Sequence, residues 1–248
     1  MSGLVLIDTV AGMQTSYLSW GEAKALFNSR GFAESSYRNL YEEEYILHPG
    51  SALVSGAFQL NGHDRHPWRD TTPDAATGYI VDGDLTVDGN IFDWDDGASA
   101  LIVLGDLRAA NIYLGCDTKL LVQGNVEVET FVGDMTDKLV MIHGDLRTRV
   151  TMMWDGFCPD LVGGCLYGRT LAPDYIDLPG DTISRVEDPT PDVPLADLLV
   201  VEVLVDADPD DPYAVECGVH KRRCYDRIAQ GLPVAQGGRR VASLETPV

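Results

Sequence analysis

The chain has 248 residues, with 39 Asp and Glu against 18 Lys and Arg, for a net charge of −21 and a sequence pI near 4.3. Such a surface disfavours free nucleic acid and anionic membranes as partners and suits a basic protein steered by charge. No apolar run reaches membrane-spanning length, no basic segment precedes the short apolar N-terminal run, and five cysteines, an odd number, fit reduced thiols in the cytoplasm.

In chain order, Ser19 to Phe27 reads as a short helix ending near Gly31, and Ser36 to Tyr45 as a second helical piece. Residues 1–50 therefore form an N-terminal helical cap. Leu53 to Leu60 resembles a degenerate coil in which Val54, Phe58 and Leu60 fall in register around Gly56. The polar stretch from His63 to Thr77 is then an inserted loop before the first regular repeat.

That repeat is a Gly-Asp-Leu signature: Gly83-Asp84-Leu85, Gly105-Asp106-Leu107, Gly124-Asn125-Val126, Gly144-Asp145-Leu146 and Gly164-Cys165-Leu166. Successive glycines are 22, 19, 20 and 20 residues apart, the mark of one supersecondary unit stacked on its copies. Two residues before each glycine stand Val81, Val103, Val122, Ile142 and Val162; two after it stand Leu85, Leu107, Val126, Leu146 and Leu166. These share one parity and so one strand face. Seven or eight residues after the glycine come Ile91, Ile112, Phe131 or Val132, Met152 and Leu171, which open a second wall. The 3.6-residue period of helical repeats and the spacing of leucine-rich repeats are both missing. The expectation is a mainly β fold, a parallel β-solenoid of about five to six coils over residues 51–176 with small α/β capping segments at both ends. Glycine at the corner can adopt positive φ. Its Asp neighbours form a ladder that must be hydrated, bonded to backbone N–H or bridged by a cation.

Residues 177–194, rich in Pro, Asp and Thr, read as an extended acidic linker that does not pack. Residues 195–248 supply a C-terminal strand/helix cap and tail: Leu195 to Val205 is apolar, Asp206 to Pro212 is an acidic loop, and a helix closes at Gly231. Lys221-Arg222-Arg223 then sits late in that helix, where cations suit the dipole.

Few residues suggest chemistry. Cys217, His220 and Cys224 offer three soft ligands, or a Cys-His pair, without a fourth ligand or a sign of activation. Asp93 to Gly97 fails the calcium-loop pattern, with glycine at position five and Leu104 at twelve. His143 reads as an outward or turn residue, and Arg108, Arg147 and Arg149 lie near strands without a paired constellation. No catalytic group, metal or cofactor is expected, and a solenoid-wall enzyme is the remote alternative. Stacking does align the variable loops that follow each second wall. They carry Trp94, Asp95 and Asp96; Tyr113 and Asp117; Phe131, Asp134 and Asp137; and Trp154, Asp155 and Phe157. Except for Phe131, which suits the core, these make a ridge of aromatics and carboxylates, the composition of a surface for a basic protein.

The Gly-Asp-Leu coils, the acidic Pro-rich stretch and the tail Arg227-Ile228-Ala229-Gln230-Gly231-Leu232-Pro233-Val234 resemble a group of bacterial cytoplasmic β-solenoid proteins found near polymorphic toxin genes and similar to immunity proteins. The resemblance covers about Ile80 to Val234. It implies a non-enzymatic antitoxin that occludes a cognate toxin, such as a nuclease, deaminase or NAD-consuming enzyme. Bactofilins, which polymerise, share the apolar coil logic, and a scaffold of that kind is the alternative; the long flanks here would block end-to-end assembly.

Overall fold

Alternating apolar residues turn one face of each short strand inward, and the coils stack in register on that pattern. In the computed structural model of the protein, which describes residues 15–60, 78–93, 99–115, 117–211 and 213–241, Val81 pairs with Val103, then Val122, Ile142 and Val162. Leu85 pairs in the same way with Leu107, Val126, Leu146 and Leu166, and all ten side chains are buried in one central core. The chain is a mainly β, parallel β-solenoid.

The elements run as follows. Strand β1 (Ser16–Leu18) and helices α1 (Trp20–Ser29) and α2 (Glu34–Tyr37) precede the first coil. That coil is β2 (Tyr45–His48), β3 (Ala52–Val54) and β4 (Phe58–Gln59), followed by β5 (Gly78–Val81), β6 (Leu85–Val87) and β7 (Asn90–Asp93). The next two are β8 (Ser99–Val103), β9 (Leu107–Arg108) and β10 (Asn111–Leu114), then β11 (Thr118–Val122), β12 (Val126–Glu127) and β13 (Thr130–Asp134). Then come β14 (Leu139–Ile142) with the long β15 (Leu146–Trp154), and β16 (Leu161–Val162) with β17 (Leu166–Leu171). Strands β2, β5, β8, β11, β14 and β16 form the first face, edged by the antiparallel β1. Strands β3, β6, β9 and β12 form the second face, and β4, β7, β10 and β13 the third; β15 and β17 run unbroken through both.

The signature corner works by close approach rather than by special dihedrals. None of the five signature glycines has positive φ. A Cβ at Gly105 would lie 2.3 Å from Asp84 Oδ1 and 2.7 Å from the Gly83 carbonyl carbon, and Gly124, Gly144 and Gly164 are equally crowded. The space is filled by the acceptor ladder. Each side chain accepts the amide N–H one coil further on: Asp106 N–H to Asp84 Oδ1 and Asn125 N–H to Asp106 Oδ1 at 2.8 Å, Asp145 N–H to Asn125 Oδ1 at 2.9 Å, and Cys165 N–H to Asp145 Oδ1 at 2.8 Å. Accepting the Cys165 amide holds the Asp145 carboxyl below its ordinary value. A second ladder lines the corner between the second and third faces. There the Asn111 amide donates to Asn90 Oδ1 at 2.8 Å, and Asn90 in turn donates to the Ile228 carbonyl at 2.8 Å.

The first coil is real, but its register differs by six residues from expectation. Ala52 pairs with Leu85 and Val54 with Val87, so the corner is Gly50-Ser51, with Ser51 Oγ accepting the Asp84 amide. Gly56 instead packs under Gly89 at the following corner. The residues 63–77 lie outside those described. On the third face Ile91, Ile112 and Phe131 point inward as expected, but Phe131 pairs with Thr151, so Met153 faces the core and Met152 faces out.

The flanking segments cover sides of the solenoid. Helix α1, N-capped by Ser19 in a capping box with Glu22, packs Ala23 and Phe27 with Phe32, Tyr37 and Tyr45 on the outward Ile80, Ala100, Ile102 and Leu121 of the first face. Arg30 clamps Asp82 through two bonds of 2.7 and 2.6 Å, and His143, an outward residue, meets Ser36 Oγ at 3.0 Å. Burial there lowers the His143 pKa. The second helical piece is confined to α2, because Tyr45 already opens β2.

The expected linker packs. Ile183 is buried and bridges Val162, and β18 (Val186–Glu187) extends the second face beside β17. The apolar run after it forms α3 (Leu195–Leu198) and a 3₁₀ turn (Val201–Val203). A hairpin of β19 (Val215–Glu216) and β20 (Val219–His220) leads into α4 (Lys221–Ala229), followed by Gly231 at φ 67°. Leu199, Val203, Val219, Cys224 and Ile228 bury the outward Phe92, Tyr113, Val132, Met152 and Trp154 of the third face. Lys221-Arg222-Arg223 opens α4 rather than closing it. His220 Nδ1 accepts the Arg223 amide as the cap, and the carboxylates of Asp155 and Glu216 offset Lys221 against the helix dipole.

Candidate functional site

The described variable loops line one edge, the corner between the third and first faces, but the structure divides the expected ridge. Trp94, Asp95 and Asp96 lie outside the described residues. Tyr113 and Trp154 are buried: they point outward from the third face, yet the C-terminal cap covers that face, and the Tyr113 ring meets Tyr225 edge-on at 5.2 Å. Phe157 turns inward, stacks on Phe131 at 6.2 Å and fills the space that a Cβ on Gly133 would need. These three aromatics are core, not partner anchors. Parity alone marks Tyr113 and Trp154 as outward and cannot show that a distant segment covers them.

The carboxylates remain at the edge. Asp117 is exposed but held, accepting from the Tyr41 hydroxyl at 3.0 Å and pairing with Lys119 at 2.6 Å. Asp137 is exposed. Asp134 and Asp155 meet under the C-terminal hairpin. The Tyr113 hydroxyl donates to Asp134 Oδ2 at 3.2 Å, Lys221 Nζ donates to Asp155 at 2.7 Å, and the Asp155 amide donates to Glu216 at 3.0 Å. Burial, reinforced by Asp155, pushes the Asp134 carboxyl up to about 6. Asp155 is held below its ordinary value: burial opposes this, but Lys221 and the shared proton of Asp134 outweigh it. Burial of Lys221 is likewise outweighed by Asp155, Asp134 and Glu216, which raise its pKa. Burial also drives the Tyr113 and Cys224 pKa values upward.

The same edge holds features that composition did not mark. Among the described residues, the non-glycine residues with positive φ are Met135 at 77°, Asp155 at 48° and Cys217 at 51°, and all three lie here. Asp155-Gly156 and Cys217-Gly218 are the two-residue turns of type I′ character in which Asp-Gly is at home. Met135 and Cys217 are unusual occupants of that region. Met135 is also 50% exposed, anchored by its amide to the Trp154 carbonyl, and Tyr175 further along is 68% exposed between Asp174 and Asp177. Asp174 lies close enough to the hairpin to act electrostatically on Cys217, whose pKa burial raises. The Asp-Gly dipeptide is a legible turn signal; nothing in the sequence marks Met135 or Cys217.

Cys217, His220 and Cys224 do not converge. Cys224 is buried on the inner face of α4, while His220 Nε2 lies 3.3 Å from Asp208. Among the described residues no group of three or more His, Cys, Asp or Glu side chains is placed to hold a metal ion. No helix among them is long and apolar enough to cross a membrane. No protein-family model, curated protein or solved structure matches the chain.

Proposed function

We propose that the chain is a non-enzymatic binding protein that seats a basic protein on the loop edge, through Met135, Asp137, Asp155, Tyr175 and Glu216. The partner in this reading is a bacterial toxin, of nuclease, deaminase or NAD-consuming type, neutralised in the cytoplasm by covering its active or substrate-binding face. The observation that carries the reading is the gathering of left-handed backbone and exposed apolar side chains at a carboxylate-bearing edge. Left-handed backbone at a non-glycine residue costs of order 1 kcal/mol or more and persists where surrounding contacts impose it, which is a recurrent property of binding sites. Met and Tyr are suited to anchoring such a contact, and the carboxylates around them to steering a cationic surface. The net charge of −21 extends that steering over the whole molecule.

The test is co-expression with the product of the adjacent open reading frame. Growth arrest by that product alone, relieved by this chain and not by a Met135→Gly, Tyr175→Ala, Asp137→Lys variant, is the expected result. Full relief by the triple variant would remove the edge as the interface. A harmless neighbour that does not bind this chain would remove the toxin assignment.

A further inference from the structure

The flanks cover the outward sides of the first and third faces, and leave the second face bare among the described residues. Its outward column runs Thr86, Arg108, Glu127, Arg147, Tyr167 and Glu187, one residue per coil. Where this face bends into the third, an open cavity of about 410 Å³ is lined by Arg108, Arg147, Arg149 and Arg239, with Glu127 and Glu129, over a floor that includes Ala109 and Val128. The small floor residues leave room between the guanidinium groups, and the volume is within the range of small-molecule sites.

Four of the 18 basic residues of a chain carrying 39 acidic ones thus converge on one groove. Their present partners are weak. Arg108 pairs with Glu127 at 3.2 Å, Arg147 with Asp145 at 2.6 Å and Arg239 with Asp88 at 3.8 Å, each with its guanidinium side chain more than half exposed. Pairs of this kind contribute at most about 1 kcal/mol each. Arg149 makes no ion pair among the described residues. Glu129 is otherwise engaged: its carboxylate accepts the Arg239 amide at 3.4 Å and holds the C-terminal segment as one wall of the groove. Arg147 is stacked on the Tyr167 ring at 4.3 Å, which fixes the plane of its fork.

We propose that this groove binds a small phosphate-bearing anion, of pyrophosphate to nucleoside-diphosphate size. Arg108 and Arg147 stand two coils apart, about 10 Å at the usual strand spacing, a separation that two linked phosphates span between long side chains and one carboxylate does not. Planar guanidinium forks match phosphate oxygens in pairs. The acidic remainder of the surface repels a long polyanion, so the ligand is small. The site lies away from the loop edge and is independent of the partner proposed there.

The experiment is calorimetric titration of the intact protein with pyrophosphate at low salt. Saturable one-to-one binding is expected, weakened about tenfold by either Arg108→Gln or Arg149→Gln and abolished by the pair. Arg222→Gln, at an exposed arginine on α4, leaves binding unchanged. Succinate, with lower charge and fewer acceptor oxygens, is expected to bind at least about tenfold more weakly than pyrophosphate. No saturable heat from pyrophosphate up to about 10 mM, well into the range of non-specific affinities, overturns the proposal. So does unchanged binding in the double variant, an equal loss in Arg222→Gln, or equal affinity for succinate.

Discussion

Replacing Gly105 by Ala tests the stacking account at a corner with no room for a side chain. The new methyl carbon would sit 2.3 Å from Asp84 Oδ1, 2.7 Å from the Gly83 carbonyl carbon and 2.8 Å from the Asp84 nitrogen. Rotating Asp84 away removes only the first contact, because the other two atoms are backbone. Restoring ordinary separation requires moving the coils apart by about 1 Å, which stretches the 2.8 Å bond from the Asp106 amide to Asp84 beyond hydrogen-bonding range. Overpacking of this kind costs about 1–3 kcal/mol. A lost bond to a charged acceptor adds about 1.5–3 kcal/mol. The two together give an expected destabilisation of about 2.5–6 kcal/mol. Asp84→Ala loses only the bond and leaves an amide that water reaches, at a cost of about 1 kcal/mol. Urea unfolding followed by circular dichroism separates the two. A Gly105→Ala cost no larger than that of Asp84→Ala would refute close approach as the reason for the glycine.

Phe157→Ala removes a fully buried ring stacked on Phe131 and should destabilise by about 3–5 kcal/mol in the same assay; a change within 1 kcal/mol would place Phe157 outside the core. Asp134, whose folded-state pKa of about 6 lies above the ordinary 3.8, contributes stability that is fully present below pH 4 and lost as pH rises through 6. Asp134→Asn, which keeps a donor toward Asp155, should be the more stable form at pH 7.5 by about 1 kcal/mol, less than the full shift implies because the carboxyl is partly solvated. Its advantage over the parent should vanish at pH 4; a pH-independent difference in thermal unfolding would contradict the shared proton. Met135→Gly relieves left-handed strain and should leave stability within about 1 kcal/mol of the parent while weakening partner binding. A large loss of stability would show that Met135 serves the fold.

The solenoid was legible because its determinants are local and repeated. One parity of apolar residues and one glycine per coil recur at a fixed interval, from Val81 to Leu166. The degenerate coil was misregistered because Gly50-Ser51 lacks the carboxylate and His48 stands where the other coils carry Val or Ile. The placement of the caps was not legible. Whether Ile80 or Trp154 meets solvent depends on segments tens of residues away in sequence, and an outward apolar residue on a strand gives no sign of what lies over it. For the same reason the expected aromatic ridge failed at Tyr113 and Trp154, and it failed at Phe157 because that ring turns into the core, while Asp117, Asp137 and Asp155 stayed exposed, as most charged groups do. Met135 and Tyr175 emerge as edge residues only once the coils are stacked. The arginines at 108, 147 and 149 looked unrelated in sequence because stacking every 19 to 20 residues, not proximity along the chain, brings them together.

The central claim is that the loop edge is a docking surface for a basic toxin. Its most direct measurement is the affinity of the purified chain for the product of the adjacent open reading frame, compared with that of the Met135→Gly, Tyr175→Ala double variant at two salt concentrations. The account predicts one-to-one binding that weakens with salt and falls by about 30-fold or more in the double variant, the loss expected of two anchors at about 2 kcal/mol in total. Unchanged affinity in a folded double variant, or binding indifferent to salt, would contradict it.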